Sequence, residues 1–174
     1  RKEFVLKNVY TDLDVLIQDN KKDKGVSLAV FKPTKILDFV INETDRTWDA
    51  KKLQAIEARA KQLNLFESSE NPFKIMPKLP YEFRYLFEDR NGRKSELLIE
   101  DWEVGQLFWN CLKKNNEDEK IACRQVKEKF FDVFSTRDLY FFMGTTRQFD
   151  RWAKNPFVII GCFWPAVETQ SSLF

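Results

Sequence analysis

The amino-acid sequence predicts an α+β fold, a mixed and largely antiparallel sheet of about seven strands with three helices. Three observations lead there. Strand-like and helix-like runs are partly segregated along the chain, where a doubly wound fold would alternate them. The segment Tyr81–Glu88 alternates aromatic and charged residues with the period of two that a half-buried strand requires. Two later segments space their apolar residues three and four apart, as amphipathic helices do. The chain has 174 residues, 43% of them hydrophobic, with 17 Phe and 5 Trp. That is enough to close one domain over residues 1–174 without a disulfide or a metal ion.

Taken in order, Phe4–Tyr10 is expected to form a first short strand, and the polar run Gln18–Gly25 (QDNKKDKG) a mobile loop. Ser27–Phe31 and Ile36–Ile41 are two further strands, separated by Lys32-Pro33-Thr34-Lys35, where the proline removes a ladder donor. Thr47 offers an N-cap to a helix from about Trp48 to Leu63. Its stripe is Leu53, Ile56, Ala60 and Leu63, and Lys51, Lys52, Arg59 and Lys61 lie on its polar face. Glu67–Pro80 holds Pro72, Pro77 and Pro80 and is expected to be an internal linker. Tyr81–Glu88 and Ser95–Glu100 flank Asn91-Gly92 and form a hairpin. A three-residue loop with Gly92 left-handed sets Phe83 opposite Ile99 and Tyr85 opposite Leu97, which keeps the apolar residues on one face. Asp101 caps a helix striped by Val104, Leu107, Phe108, Cys111 and Leu112, which ends at Asn115-Asn116. A third helix opens on Glu117-Asp118-Glu119 and is striped by Ala122, Val126, Phe130, Val133 and Phe134. Leu139–Met143 and Phe157–Phe163 read as interior strands, and residues 166–174 as a frayed tail.

Composition narrows the chemistry. There is no histidine, so imidazole bases, Ser-His and Cys-His pairs and the commonest transition-metal ligand are all missing. Cys111, Cys123 and Cys162 are an odd number at wide spacing, which makes neither a disulfide framework nor a zinc motif and suits a cytoplasmic protein. A net charge of +2 gives no global electrostatic footprint, so any anionic partner needs a local patch. No apolar run approaches the length of a membrane span.

One loop concentrates what remains. Gly144–Pro156 carries Thr145, Thr146, Arg147, Arg151 and Lys154 beside Phe149 and Trp152. Cations neutralise phosphates and aromatic rings stack on bases. It is not a P-loop, because the second glycine and the Lys-Ser/Thr pair are missing. Arg84, on the opposite face of the hairpin from its aromatics, is available to the same patch. A second constellation is acidic: Glu88, Asp89, Glu96, Glu100, Asp101 and Glu103 lie on or beside the hairpin, where carboxylates gather for Mg²⁺-dependent phosphodiester hydrolysis. The lysine expected two residues after the second-strand carboxylate is absent, since Leu98 and Trp102 hold those places. Trp109 and Trp164 fall outside the apolar stripes and are candidates for a protein-binding surface.

The block Tyr81–Pro165, with IEDWEVGQLFWN and DLYFFMGTT…NPFVIIG, resembles an uncharacterised prokaryotic protein family of unknown function. The segment FFMGTT…FVIIG is similar to the strand–loop–strand of small nucleic-acid-binding barrels such as PUA-like domains. These resemblances imply a prokaryotic or phage-related setting. The residues themselves predict a non-catalytic module that binds nucleic acid or a nucleotide-like anion through Thr145, Thr146, Arg147, Arg151, Trp152, Lys154 and Arg84, with no cofactor and no membrane. The alternatives are a Mg²⁺-dependent nuclease built on the hairpin carboxylates and a protein-interaction subunit of a larger complex.

Overall fold

Hydrophobic runs of different period give this chain two sheets and a set of helices. A computed structural model describes residues 2–66, 76–146 and 152–167. In chain order the elements are α1 (Lys2–Val5), β1 (Val9–Tyr10), α2 (Leu13–Asn20), β2 (Leu28–Phe31), β3 (Lys35–Glu43), α3 (Ala50–Phe66), β4 (Tyr81–Glu88) and β5 (Lys94–Leu98). Then come α4 (Trp102–Lys114), α5 (Glu119–Lys127) running into a π-helical turn (Glu128–Val133), β6 (Tyr140–Thr145) and β7 (Phe157–Phe163). The fold is α+β, as the sequence predicts, with seven strands among the described residues and more helices than the three expected.

Two compact units share these elements: Arg1–Ile41 with Phe83–Phe174, and Asn42–Glu82. In the smaller unit the α3 cap is Asp49 and not Thr47. Its carboxylate accepts from the Lys51 and Lys52 amides at 3.0 and 3.2 Å, a stronger acceptor standing directly before Ala50. Trp48 donates its indole N–H to the Met76 carbonyl at 3.1 Å. Most of the expected linker Glu67–Pro80 lies outside the described residues.

In the larger unit, one sheet runs β1-β2-β6-β7 and the other β3-β4-β5. β1 is parallel to β2, while β2–β6, β6–β7 and β4–β5 are antiparallel. A parallel bridge between Ile99 and Ile159 joins the sheets, and there the Glu100 amide donates to the Ile159 carbonyl at 2.7 Å. The hairpin takes the predicted register, Tyr85 opposite Leu97, with Gly92 at φ 76°.

Strand alternation then aims one face of each sheet at the other. Phe141 of β6 lies 5.0 Å from the Tyr85 ring and 5.4 Å from Phe87, and Phe87 meets Phe31 at 5.6 Å. Phe39 continues the cluster to Phe83, Tyr85 and Phe130. Each buried ring contributes roughly 1.5–3 kcal/mol, so this aromatic seam supplies much of the unit's stability.

Helix α4 and the turn after α5 pack against the seam, with Phe108 6.3 Å from Phe83 and Phe130 5.9 Å from Phe39. Ala122, Val126, Phe130 and Phe134 are buried at a constant spacing of four. On an α-helix four residues turn about 400°, so such a row drifts ~40° per step and would leave the core by its last member. The wider π turn over Glu128–Val133 absorbs that drift. It buries Phe134 and leaves Val133 50% exposed, correcting the predicted stripe at that position. Buried Tyr85 donates its hydroxyl to the Phe130 carbonyl inside the turn.

The N-terminal expectations need correction. The strand predicted over Phe4–Tyr10 shrinks to Val9–Tyr10, behind a single helical turn. Helix α2 was not anticipated, although Leu13, Leu16, Ile17 and Asn20 are buried at helical spacing and Asp12 caps it. The polar run Gln18–Gly25 therefore begins as helix. At Gly25 a Cβ would lie 1.8 Å from the Asn20 carbonyl oxygen, so the chain passes there only as glycine.

The tip of the β4–β5 hairpin docks on the start of α2. Asp89 is 2% exposed. It accepts from the amides of Leu13, Asn91 and Arg93 at 3.2, 2.9 and 3.0 Å. Asn91 donates to Asp12 at 2.6 Å, and Arg93 pairs with Asp14.

Candidate functional site

The loop singled out by the sequence hangs from the end of the β6–β7 pair. Thr145 and Phe157 are the last partners of that ladder, and the Thr145 amide donates to the Ser27 carbonyl at 3.0 Å. Pro156 is buried, and the Asn155 side chain accepts from the Phe157 amide at 3.1 Å. Both loop ends are thus fixed to the sheet. Thr146 follows with its hydroxyl buried and without a hydrogen-bond partner among the described residues. Trp152 is 70% exposed, and Lys154 is also exposed. Arg147 and Arg151, with Phe149 and Asp150, lie outside the described residues.

Beside that loop is a feature the sequence reading missed. Phe142 pairs with Gly161 and Met143 with Ile159, so Ile160 is the extra residue of a β-bulge. Its side chain turns outward and lies over Gly144. A Cβ at that glycine would meet Ile160 Cδ1 at 3.1 Å, Cγ2 at 3.2 Å and Leu28 Cδ2 at 3.5 Å. The result is an apolar cleft of about 490 Å³ on the outer face of β2, β6 and β7, lined by Tyr10, Val26, Leu28, Val30, Phe142 and Ile160. Leu28 is 70% exposed and Ile160 42%. Continuous apolar runs predicted strands buried on both faces, yet among the described residues only the inner face is covered. The usable signal was Gly144, a residue that leaves space in an otherwise bulky strand.

The remaining candidates are held elsewhere. Arg84 does face away from the hairpin aromatics, but it lies on the outer face of the other sheet, 3.7 Å from Glu96. Glu88 pairs with Lys94 across the hairpin at 3.8 Å. Asp89 organises the turn, and Asp101 caps α4 by accepting from the Glu103 amide at 2.9 Å. No three carboxylates or thiols converge among the described residues. Burial and the neighbouring Glu103 charge raise the Asp101 pKa, against the lowering by its amide bond.

Trp109 packs edge-on against Phe108 at 5.3 Å, and Trp164 stacks on Phe134 at 4.2 Å, so both serve as a second layer of the core. The exposed indoles are Trp102, at 75%, and Trp152. All three cysteines are free thiols. Burial raises each, Cys123 to about 11, which keeps them protonated near neutral pH. Among the described residues no helix is long and apolar enough to cross a membrane.

No curated protein and no solved structure matches the chain. One family model matches residues 10–174, almost the whole sequence, and the chain therefore belongs to the family described as a domain of unknown function, DUF8757.

Proposed function

We propose that the chain is a non-catalytic binding module for nucleic acid or a nucleotide-like anion, with the apolar cleft receiving a base and the Gly144–Pro156 loop the phosphates. The observation that carries this reading is the adjacency of the two: Gly144, the first residue of the loop, is also the floor over which Leu28 and Ile160 approach each other. A cleft of about 490 Å³ lies in the range of small-ligand sites. Aliphatic and aromatic walls accept the faces of any base, and the cations of the loop neutralise its backbone. The free, protonated thiols suit a reducing, cytoplasmic setting, and the prokaryotic setting implied by the sequence belongs to the same reading.

The test is a titration with single-stranded oligonucleotides at several salt concentrations, comparing the unaltered protein with Arg147→Ala/Arg151→Ala. Binding should weaken, and the slope of log affinity against log salt should fall by roughly one per lost phosphate contact. Unchanged affinity and slope would remove the proposal. Exposed Leu28 and Ile160 also favour a second reading, in which the face docks against another protein. A Gly144→Val variant that still binds oligonucleotide but fails to join a complex in its host would favour that one.

A further inference from the structure

At the far end of β2 from the loop, the chain turns from β2 into β3 through Lys32, Pro33 and Thr34. The segment leading into β6 packs against this corner and encloses a polar hollow of about 290 Å³, lined among others by Lys32, Lys35, Ser135, Arg137 and Asp138. We infer that this corner is a second binding site, taking a phosphate-class oxyanion between Lys32, Lys35 and Arg137.

The walls are fixed in place. Pro33 is buried, and the Thr34 amide donates to the Glu88 carbonyl at 2.8 Å. Opposite, the Arg137 amide donates to the Phe134 carbonyl at 3.0 Å and the Asp138 amide to the Pro165 carbonyl at 3.1 Å. Lys32 is aimed by its surroundings. Its ammonium donates to Asp138 at 2.7 Å and to the Tyr140 hydroxyl at 3.3 Å, and sits 4.9 Å from the Tyr140 ring centre. A lysine has three donors, so one remains for a ligand. Tyr140 in turn donates to the other Asp138 oxygen at 2.8 Å, which completes the triad.

Lys35 and Arg137 are exposed, and neither makes an ion pair among the described residues. Three cations against one carboxylate leave the hollow with as much net positive charge as the chain as a whole, +2. That excess is the complement of a phosphate dianion, and the Thr34 and Ser135 hydroxyls on the rim add neutral donors. The hydrogen bond that Lys32 donates to Asp138 holds the Lys32 pKa up, and burial does the same for Tyr140. Both groups therefore stay protonated at neutral pH and act as donors, not as bases. A neighbouring hollow of about 440 Å³ shares Lys32, Pro33 and Thr34 and adds Arg90, which extends the cationic surface.

The experiment uses inorganic pyrophosphate as the probe, followed by calorimetry on three proteins: the unaltered chain, Lys35→Ala/Arg137→Ala and the loop variant Arg147→Ala/Arg151→Ala. The expected result is saturable binding that weakens at least about tenfold in the corner variant, as loss of charge-assisted hydrogen bonds requires, and persists in the loop variant. Because both replaced corner residues are exposed, thermal melting should be unchanged. Absence of pyrophosphate binding by the unaltered chain overturns the inference. Binding lost only in the loop variant also overturns it, and would leave the loop reading intact. A single-stranded oligonucleotide with a 5′-phosphate, compared with its 5′-hydroxyl form, identifies the source. A preference that the corner variant erases assigns the site to a nucleic-acid terminus. Pyrophosphate binding without that preference assigns it to a free polyphosphate.

Discussion

The outer faces of the two sheets obey the same strand geometry and present opposite surfaces. On β4 and β5 the outward positions carry cross-strand charge pairs, Arg84 with Glu96 and Lys94 with Glu88. On β2, β6 and β7 the outward positions carry Leu28, Phe142 and Ile160, around an open cleft. On the first face the charges stand among half-buried Leu86 and Leu98. The second holds a leucine 70% exposed, and no element among the described residues lies over it. The contrast is what the proposed binding reading draws on, since one sheet face leaves apolar side chains open and the other sets charges among them.

The largest test of the contrast strikes the charged side, where the hairpin is anchored by a buried carboxylate. Asp89→Ala leaves the amides of Leu13, Asn91 and Arg93 without their acceptor. A loss on the order of 3–5 kcal/mol, read by urea unfolding, is expected, because charge-assisted bonds in a buried site are costly to break. A loss below about 1 kcal/mol would mean that the hairpin is not pinned to α2.

Leu28→Ser should do the reverse. With the side chain already in water, stability should change by less than about 0.5 kcal/mol. Oligonucleotide affinity, in contrast, should fall by about tenfold or more, since roughly one side chain of apolar contact is removed. A core-like destabilisation would show that the face is covered in the folded protein, and the contrast would fail.

A smaller effect is expected from the pair on the charged face. A double-mutant cycle on Arg84→Ala and Glu96→Ala should give a coupling of at most about 1 kcal/mol, shrinking in high salt. A salt-independent coupling would argue for a shielded pair.

The smallest test is titration. Lys127, bonded to Asp38 at 2.8 Å, holds that carboxyl below its usual range. Its contribution to stability is present above the unfolded pKa of about 3.9 and is lost as pH falls through the folded value. Asp101, raised by burial, acts with the opposite sign and destabilises as pH rises from about 3.9 through its folded value. Asp38→Asn should therefore shallow the acid limb of a stability–pH curve, while Asp101→Asn should raise stability just above pH 4. Unaltered curves in both variants would contradict these assignments.

Much of the fold was legible because its signals are local. The hairpin register followed from Asn91-Gly92 and the alternation of Tyr81–Glu88, and the α4 cap from Asp101 before an apolar stripe. Helix α2 was equally legible, by Asp12 and the spacing of Leu13, Leu16 and Ile17, but its short length was masked by the charged run that follows. The loop was visible as composition, with Arg147 and Arg151 named from residue type alone. The cleft beside it was not. An apolar residue reads the same in sequence whether its strand face is covered or bare, so Phe142 and Ile160 looked like interior.

The sequence by itself determined the α+β class, most strands, the missing imidazole chemistry and one basic, aromatic loop, since each depends on residues close together in the chain. Only tertiary structure decided which carboxylates were already engaged, which tryptophans were core, and which sheet face stayed open. Those outcomes rest on pairings across long separations, such as Asp89 with Leu13 and Lys32 with Asp138. Burial is a property of what packs on a residue, and no residue carries that information alone.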